Sequence, residues 1–394
     1  MLLAHSIEAG LTIYDITKYG AKADGSDISP ALLNAWTEAC KSPTESRVII
    51  PPGNYNLEAI VLKGPCMAPI NLHVQGYISA QADPAHFQAG AWIQLNNLNA
   101  LTVSGTGTFD GKGSMAWGLN DCGKNLNCKW SPFQISFNFV TNTVIREITS
   151  KDSKNFHMTL LGGMNVTFQN VNIVAPGDSV NTDGIHVARS NGVSILDTNI
   201  GTGDDCISLG DGSKQIKIER VNCGPGHGIS IGSLSKYKDE ETVEGIFVKN
   251  CTLTETMNGV RIKSWPTSPG PGSASDMHFE DIVMNNVSNP IIIDQEYCPS
   301  NQCILKSSSE LVISNVSFKN IRGTSATMET IIIDCSKTHP CQNVELGDIN
   351  LSYVGTRPGN ATSTCSNVSP KLSGVQVPPA CTAEAQKFKY ALDG

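Results

Sequence analysis

The sequence predicts an all-β chain wound as a right-handed parallel β-helix, a single solenoid with a short N-terminal capping helix. Three observations predict it. Charged residues make up only 16 % of the 394 residues and glycine numbers 36, a composition suited to strands and turns. From about residue 142, β-rich segments of one flavour recur (NVTFQNVNIV, GVSILDTNIG, QIKIERVNCG, GIFVKNCTLT). They begin near Val144, Val166, Val193, Ile216, Ile246, Met277, Val312 and Val344, at intervals within the range of stacked repeats. No helical period competes with them. A β-sandwich would need a strand about every 8–12 residues, and the long, irregular period counts against it.

In chain order, residues 1–10 (MLLAHSIEAG) lack a charged start and a full apolar stretch and read as the remnant of a signal or N-terminal extension; the solenoid is expected over 11–394. Residues 11–20 read as a first strand. Residues 29–40 (SPALLNAWTEAC) form the one clear helix, with Ser29 as N-cap, Pro30 at the first helical position and Leu32, Leu33 and Trp36 at helical spacing. Such a helix covers strand edges that a solenoid end would otherwise expose. VIIPPGNYNL is strand, turn, strand, and 101–111 alternates in strand fashion between glycines. In the repeats, asparagine recurs at the corner between strands, where it tolerates the left-handed conformation. Segments 112–132, 233–243 and 264–275 interrupt the strands and are the expected walls of a cleft. The tail after Cys365 is expected to be tied down by Cys381.

Net charge is −8. That argues against general nucleic-acid binding and would repel a polyanion unless a site supplied its own cations. No apolar run is long enough to span a bilayer. Thirteen cysteines and seven N-x-S/T sequons (Asn165, Asn250, Asn286, Asn315, Asn350, Asn360, Asn367) point to the secretory route. Spacing does not determine disulfide connectivity. The expected pairs are Cys40–Cys66, Cys122–Cys128, Cys206–Cys223, Cys298–Cys303, Cys335–Cys341 and Cys365–Cys381, leaving Cys251 as a buried thiol.

The chemistry concentrates in residues 181–232. Asp183 to Asp205 is 22 positions and Asp205 to His227 is 22 positions, each with a glycine within two residues (Asp183-Gly184, Gly203-Asp204-Asp205, Gly226-His227-Gly228). Adjacent coils of a β-helix lie about 4.8 Å apart. If one coil takes 22 residues here, these three form a line on one face. Asp204 adjoins Asp205, and a bulge at Gly203 would let both face outward. Clustered carboxylates raise the pKa of at least one member, which places an acid and a base together, as glycosidic cleavage requires. His227 could orient an acid. Arg261 and Lys263 share a strand face and would bind an acidic sugar. Asp178 and Asp197 read as turn or edge residues.

Asn181-Thr182-Asp183, Gly203-Asp204-Asp205, Gly226-His227-Gly228 and Arg261-Ile262-Lys263 resemble the four signature segments of the polygalacturonases, the pectin-cleaving glycoside hydrolases. GDDCISLG, GPGHGISIGSL and GVRIKSW resemble the plant branch. SLSKYKDEE, NPIIIDQEYCP and YDITKYGAKADG are similar to the pollen-type exopolygalacturonases. Ser235 departs from the plant pattern, in which glycine often follows GSL. The resemblance implies an inverting hydrolase of α-1,4-linked galacturonic acid, acting from the chain end. Asp204 would protonate the glycosidic oxygen, and Asp183 and Asp205 would hold and activate water. His227 would support the acid. Arg261 and Lys263 would bind the substrate carboxylate, with Asn181 and Tyr297 as further contacts. No cofactor or metal is expected, nor any nucleic-acid or membrane partner. The expected protein is a monomer, secreted to the plant cell wall. The alternatives are an endo-acting enzyme, a rhamnogalacturonan or xylogalacturonan hydrolase, a Ca²⁺-dependent pectate lyase, and a pectin-binding solenoid that does not cleave.

Overall fold

The computed structural model describes residues 10–87, 90–122, 125, 128–267, 269–299, 303 and 308–381. Most of the expected extension at 1–10, and residues 382–394, lie outside them. The chain winds into a right-handed parallel β-helix, with two parallel sheets along the solenoid. The smaller sheet takes one strand from each coil: Ile60–Lys63, Ala91–Asn96, Phe133–Asn138, Met158–Leu161, Ile185–Ala188, Ile207–Leu209, Ile229–Leu234, Asn258–Ser264, Asn289–Asp294, Glu329–Asp334 and Thr362–Ser366. This sheet carries the residues of interest.

Its register explains both core and site. Ile185, Ile207, Ile229, Val260, Ile291 and Ile331 pair in turn down one inward row. Val187, Leu209, Ile231, Ile262, Ile293 and Ile333 form a second row, and every side chain in both rows is fully buried. Burying one such chain contributes about 1.5–3 kcal/mol. Strand side chains alternate, so the residues between these rows (His186, Ser208, Ser230, Arg261 and Ile292) form an outward row.

The helix Ser29–Cys40 buries Ala31, Leu32, Ala35, Trp36 and Ala39 against the first coils, and Trp36 Nε1 donates to Lys63 O at 3.3 Å. It caps the solenoid as expected, with two differences. Leu33 is exposed. Ser29 lies inside the first turn after Ile28; its hydroxyl donates to Asp27 and accepts from Glu58 N, tying the helix start to the next coil. The expected first strand ends at Asp15, whose carboxylate caps a 3-10 turn over Ile16–Tyr19. Val166, Val193, Ile216, Ile246, Met277 and Val344 share one register position, but Thr143 and Val316 hold it in their coils, not Val144 and Val312. Of segment 264–275, the end from Gly272 belongs to the strand Gly272–Val287.

Asparagine corners are left-handed at Asn165, Asn170, Asn250, Asn286 and Asn315 among others. All six expected disulfides are present, and Cys251 is free and buried. No described helix is long and apolar enough to cross a membrane.

Candidate active site

The residues singled out at Asp183, Asp205 and His227 each stand two places before a residue of the Ile185–Ile207–Ile229 row, so they follow one another coil by coil. The corners that present them are held by close backbone approach. A Cβ at Gly203 would lie 2.0 Å from Ser179 O. Thr182 Oγ1 donates to Ser179 O and accepts from Gly203 N at 3.0 Å, latching the Asp183 segment to the Asp204–Asp205 segment. Gly226 and Gly228 have φ of 147° and 86°, strained for any other residue. Between them His227 N donates to Asp204 O at 2.8 Å. The Cys206–Cys223 disulfide braces the same stretch.

The carboxylates occupy three different environments. Asp204 is part-exposed; its Oδ1 accepts from Asp205 N at 2.8 Å and lies 3.0 Å from His227 Nδ1. Asp205 faces the outward row as expected, but it is buried there beneath the cations that cover it. Its Oδ1 accepts from Ser230 Oγ at 2.8 Å and Arg261 Nη2 at 2.9 Å, and its Oδ2 from Lys263 Nζ at 2.8 Å. Burial works to raise its pKa, but Lys263 and Arg261 outweigh burial and hold the carboxyl below its usual value. Asp183 is buried and accepts from Ser208 Oγ at 2.8 Å. Burial first, then the charges of Asp204 and Asp205, push its pKa well up.

The raised pKa of Asp183 ties stability to pH. A carboxyl whose pKa is raised on folding carries no penalty below its unfolded pKa and a growing one as pH rises through its folded pKa. Asp183→Asn should therefore unfold at a higher temperature than the wild type at pH 7. The difference should close below about pH 4. Equal melting at both pH values would show that burial imposes no charge penalty on Asp183.

Arg261 and Lys263 reach one carboxylate, as their shared face predicts. The Tyr297 ring lies 5.7 Å from Arg261 Cζ and 5.0 Å from Lys263 Nζ. Trp265 meets Tyr297 edge-on, and Lys236 Nζ sits 4.8 Å from the Trp265 ring, so segments 233–243 and 264–275 form one wall. Asn181 is left-handed and accepts from Asn120 Nδ2 at 3.0 Å. Asn120 follows the helix Ser114–Leu119, anchored by Trp117 Nε1 donating to Ser153 O. Beside it, Trp130, Phe133, Phe156 and His186 form an aromatic chain. Oxygens of Asp204 and Asp205 and a His227 nitrogen lie within 4.8 Å of one another, close enough for a metal ion. Both oxygens of Asp205 are already engaged by cations, and a further positive charge there is disfavoured.

Sequence reasoning missed Thr182, His186, Ser208 and Ser230. The last three sit three residues after Asp183, Asp205 and His227 in turn. That offset was a legible signal.

A parallel β-helix whose outer face gathers carboxylates, a histidine and two cations defines a class: a glycoside hydrolase suited to acidic polysaccharides. A model of the glycosyl hydrolases family 28 matches residues 40–377, and the chain belongs to that family, which contains the polygalacturonases. An exopolygalacturonase of Platanus acerifolia is 51 % identical over 94 % of this chain and 98 % of its own length. An exopolygalacturonase of Oenothera organensis is 52 % identical over 92 % of this chain and 99 % of its own. A polygalacturonase of Nicotiana tabacum is 49 % identical over 98 % of this chain and 96 % of its own. Among solved structures, the exopolygalacturonase of Thermotoga maritima matches with TM-score 0.74 at 18 % identity, over 92 % of each chain, a likeness of fold.

Proposed function

We propose that this protein is a secreted, monomeric exopolygalacturonase that hydrolyses the terminal α-1,4-galacturonosyl linkage of polygalacturonate in the plant cell wall, with inversion. Asp204 is the general acid, supported by His227. Asp183 and Asp205 together hold and deprotonate the attacking water. Arg261 and Lys263 bind the substrate carboxylate, with Tyr297 and Asn181 lining the cleft. The observation that carries the reading is the pairing of both cations with Asp205. A uronate carboxylate arriving at Arg261 and Lys263 competes for the charges that neutralise Asp205, which returns basicity to that carboxylate as substrate binds. Action from the chain end is supported by Asn120 on Asn181 and by the aromatic chain, which stand beside the acids on one side. Family membership supports inversion. The short separation of Asp204 and Asp205 does not, since inverting pairs usually stand about 6.5–9.5 Å apart.

The deciding experiment is product analysis on polygalacturonic acid in excess chelator, following chain length, viscosity, unsaturated ends and the first-formed anomer together. Saturated monomer of β configuration, with slow viscosity loss, is expected. Mixed oligomers with a rapid fall in viscosity would establish endo action. Unsaturated ends would mean elimination and overturn the roles of the three aspartates. An α anomer formed first would overturn inversion. No cleavage by a folded sample would leave a binding solenoid.

A further inference from the structure

The geometry points to His186 as a positioning residue that acts on Asp183 through Ser208, keeping the serine hydroxyl turned toward the carboxylate so that Asp183 stands ready to accept a proton from water. The inference rests on the base role proposed for Asp183.

Three side chains from two coils make a line. His186 Nδ1 lies 2.8 Å from Ser208 Oγ, and Ser208 Oγ lies 2.8 Å from Asp183 Oδ2. The line follows from register, because His186 pairs directly with Ser208 on the outward row. A hydroxyl carries one hydrogen. A carboxylate can only accept, so while Asp183 is ionised that hydrogen points to Oδ2, and the Nδ1 of His186 must be the ring's N–H. The neutral imidazole so oriented cannot accept from Ser208. Protonating Asp183 at Oδ2 would turn the serine hydrogen away from its only acceptor in the line, and a hydroxyl left unpaired in a buried site is costly. The line therefore favours the ionised form of a carboxyl that its surroundings push toward the neutral one.

The surroundings keep His186 neutral. Its ring lies against Phe156 on the preceding coil, 5.3 Å between centroids, and Thr159 of that coil pairs with it in register. Burial, with Lys263 nearby, pushes its pKa down to about 4, against the opposing pull of Asp205 and Asp211. Asp183 itself faces Asp204, Asp205 and Lys263. Ser230 repeats half of the arrangement one coil on, donating to Asp205 at 2.8 Å while Arg261 Nε donates to it at 3.1 Å. Each proposed base is thus aimed by a serine on the next coil, itself aimed by an N–H donor.

The test is the pH dependence of kcat and KM on trigalacturonate for His186→Leu, His186→Asn, Ser208→Ala and the His186→Leu/Ser208→Ala double variant, with Asp183→Asn measured beside them. His186→Leu should lower kcat about tenfold, leave KM within about twofold, and move the acid limb of the kcat profile upward by about one pH unit. His186→Asn, whose amide donates from near the Nδ1 position, should recover most of both. The double variant should be no worse than Ser208→Ala alone. A His186→Leu profile that superimposes on the wild type, or additive losses in the double variant, would overturn the relay. An Asp183→Asn enzyme as active as the wild type would instead overturn the base role beneath it.

Discussion

Asp204→Asn should lower kcat on polygalacturonate about a thousandfold while leaving KM within about threefold, the scale on which a positioned general acid contributes. The substitution keeps the shape of the side chain, and the amide oxygen can still accept from Asp205 N as Oδ1 now does at 2.8 Å. What it removes is the proton for the departing sugar oxygen. The loss should therefore depend on the leaving group: an aryl galacturonide whose phenolate departs unprotonated should suffer far less than the polymer. Equal losses on both substrates, or a KM that rises in step, would mean that Asp204 binds or positions and donates no proton. His227, 3.0 Å from the same oxygen, should lose activity in the same leaving-group-dependent way when replaced by alanine, though to a smaller extent.

The second large effect should follow Lys263→Met. Lys263 and Asp205 are both buried and paired at 2.8 Å. Removing one member of a buried pair leaves the other charge uncompensated and costs about 3–5 kcal/mol. Arg261 remains on Asp205 Oδ1 at 2.9 Å, so the lower end, about 3 kcal/mol, is expected here. The pH dependence follows from the lowered pKa of Asp205: the pair's contribution is present above the ordinary carboxylate pKa and is lost as pH falls through the folded-state value. Urea unfolding should thus separate variant from wild type most at neutral pH, with the gap narrowing in acid. The same change should raise KM, because Lys263 is a proposed contact for the substrate carboxylate. A variant as stable as the wild type at pH 7 would mean that Arg261 alone neutralises Asp205.

Much of this site is legible in the sequence, for a local reason. Between Asp183 and His227 each coil takes 22 residues, so counting alone aligns the acids and the histidine. Elsewhere coil length varies with the loops, and apolar alternation by itself cannot say which β-branched residue keeps register. Strands do run through Val144 and Val312, but the register position shared by the other repeats falls on Thr143 and Val316. Asp205 was expected to face outward, and it meets the outward row, but exposure through a bulge at Gly203 is not how its charge is accommodated. In the fold the charge is buried and met by Arg261 and Lys263, two coils away. Glycine at 203 answers instead to the carbonyl of Ser179. Ser208, Ser230 and His186 went unnoticed because serine and histidine in a strand are ordinary, and their partners lie 22 or 25 positions away in sequence.

The stacked register of Ile185, Ile207 and Ile229 works as a ruler. The site's groups are delivered rung by rung, so their separation along the axis is quantised by the distance between rungs, and no loop insertion can stretch it. Loops can lengthen, as 112–132 and 233–243 have, and remodel what the site admits while the distances needed for bond cleavage stay fixed. Attempts to alter substrate choice should for that reason succeed in the loops and fail in the rungs, where a single added residue would turn the outward row inward.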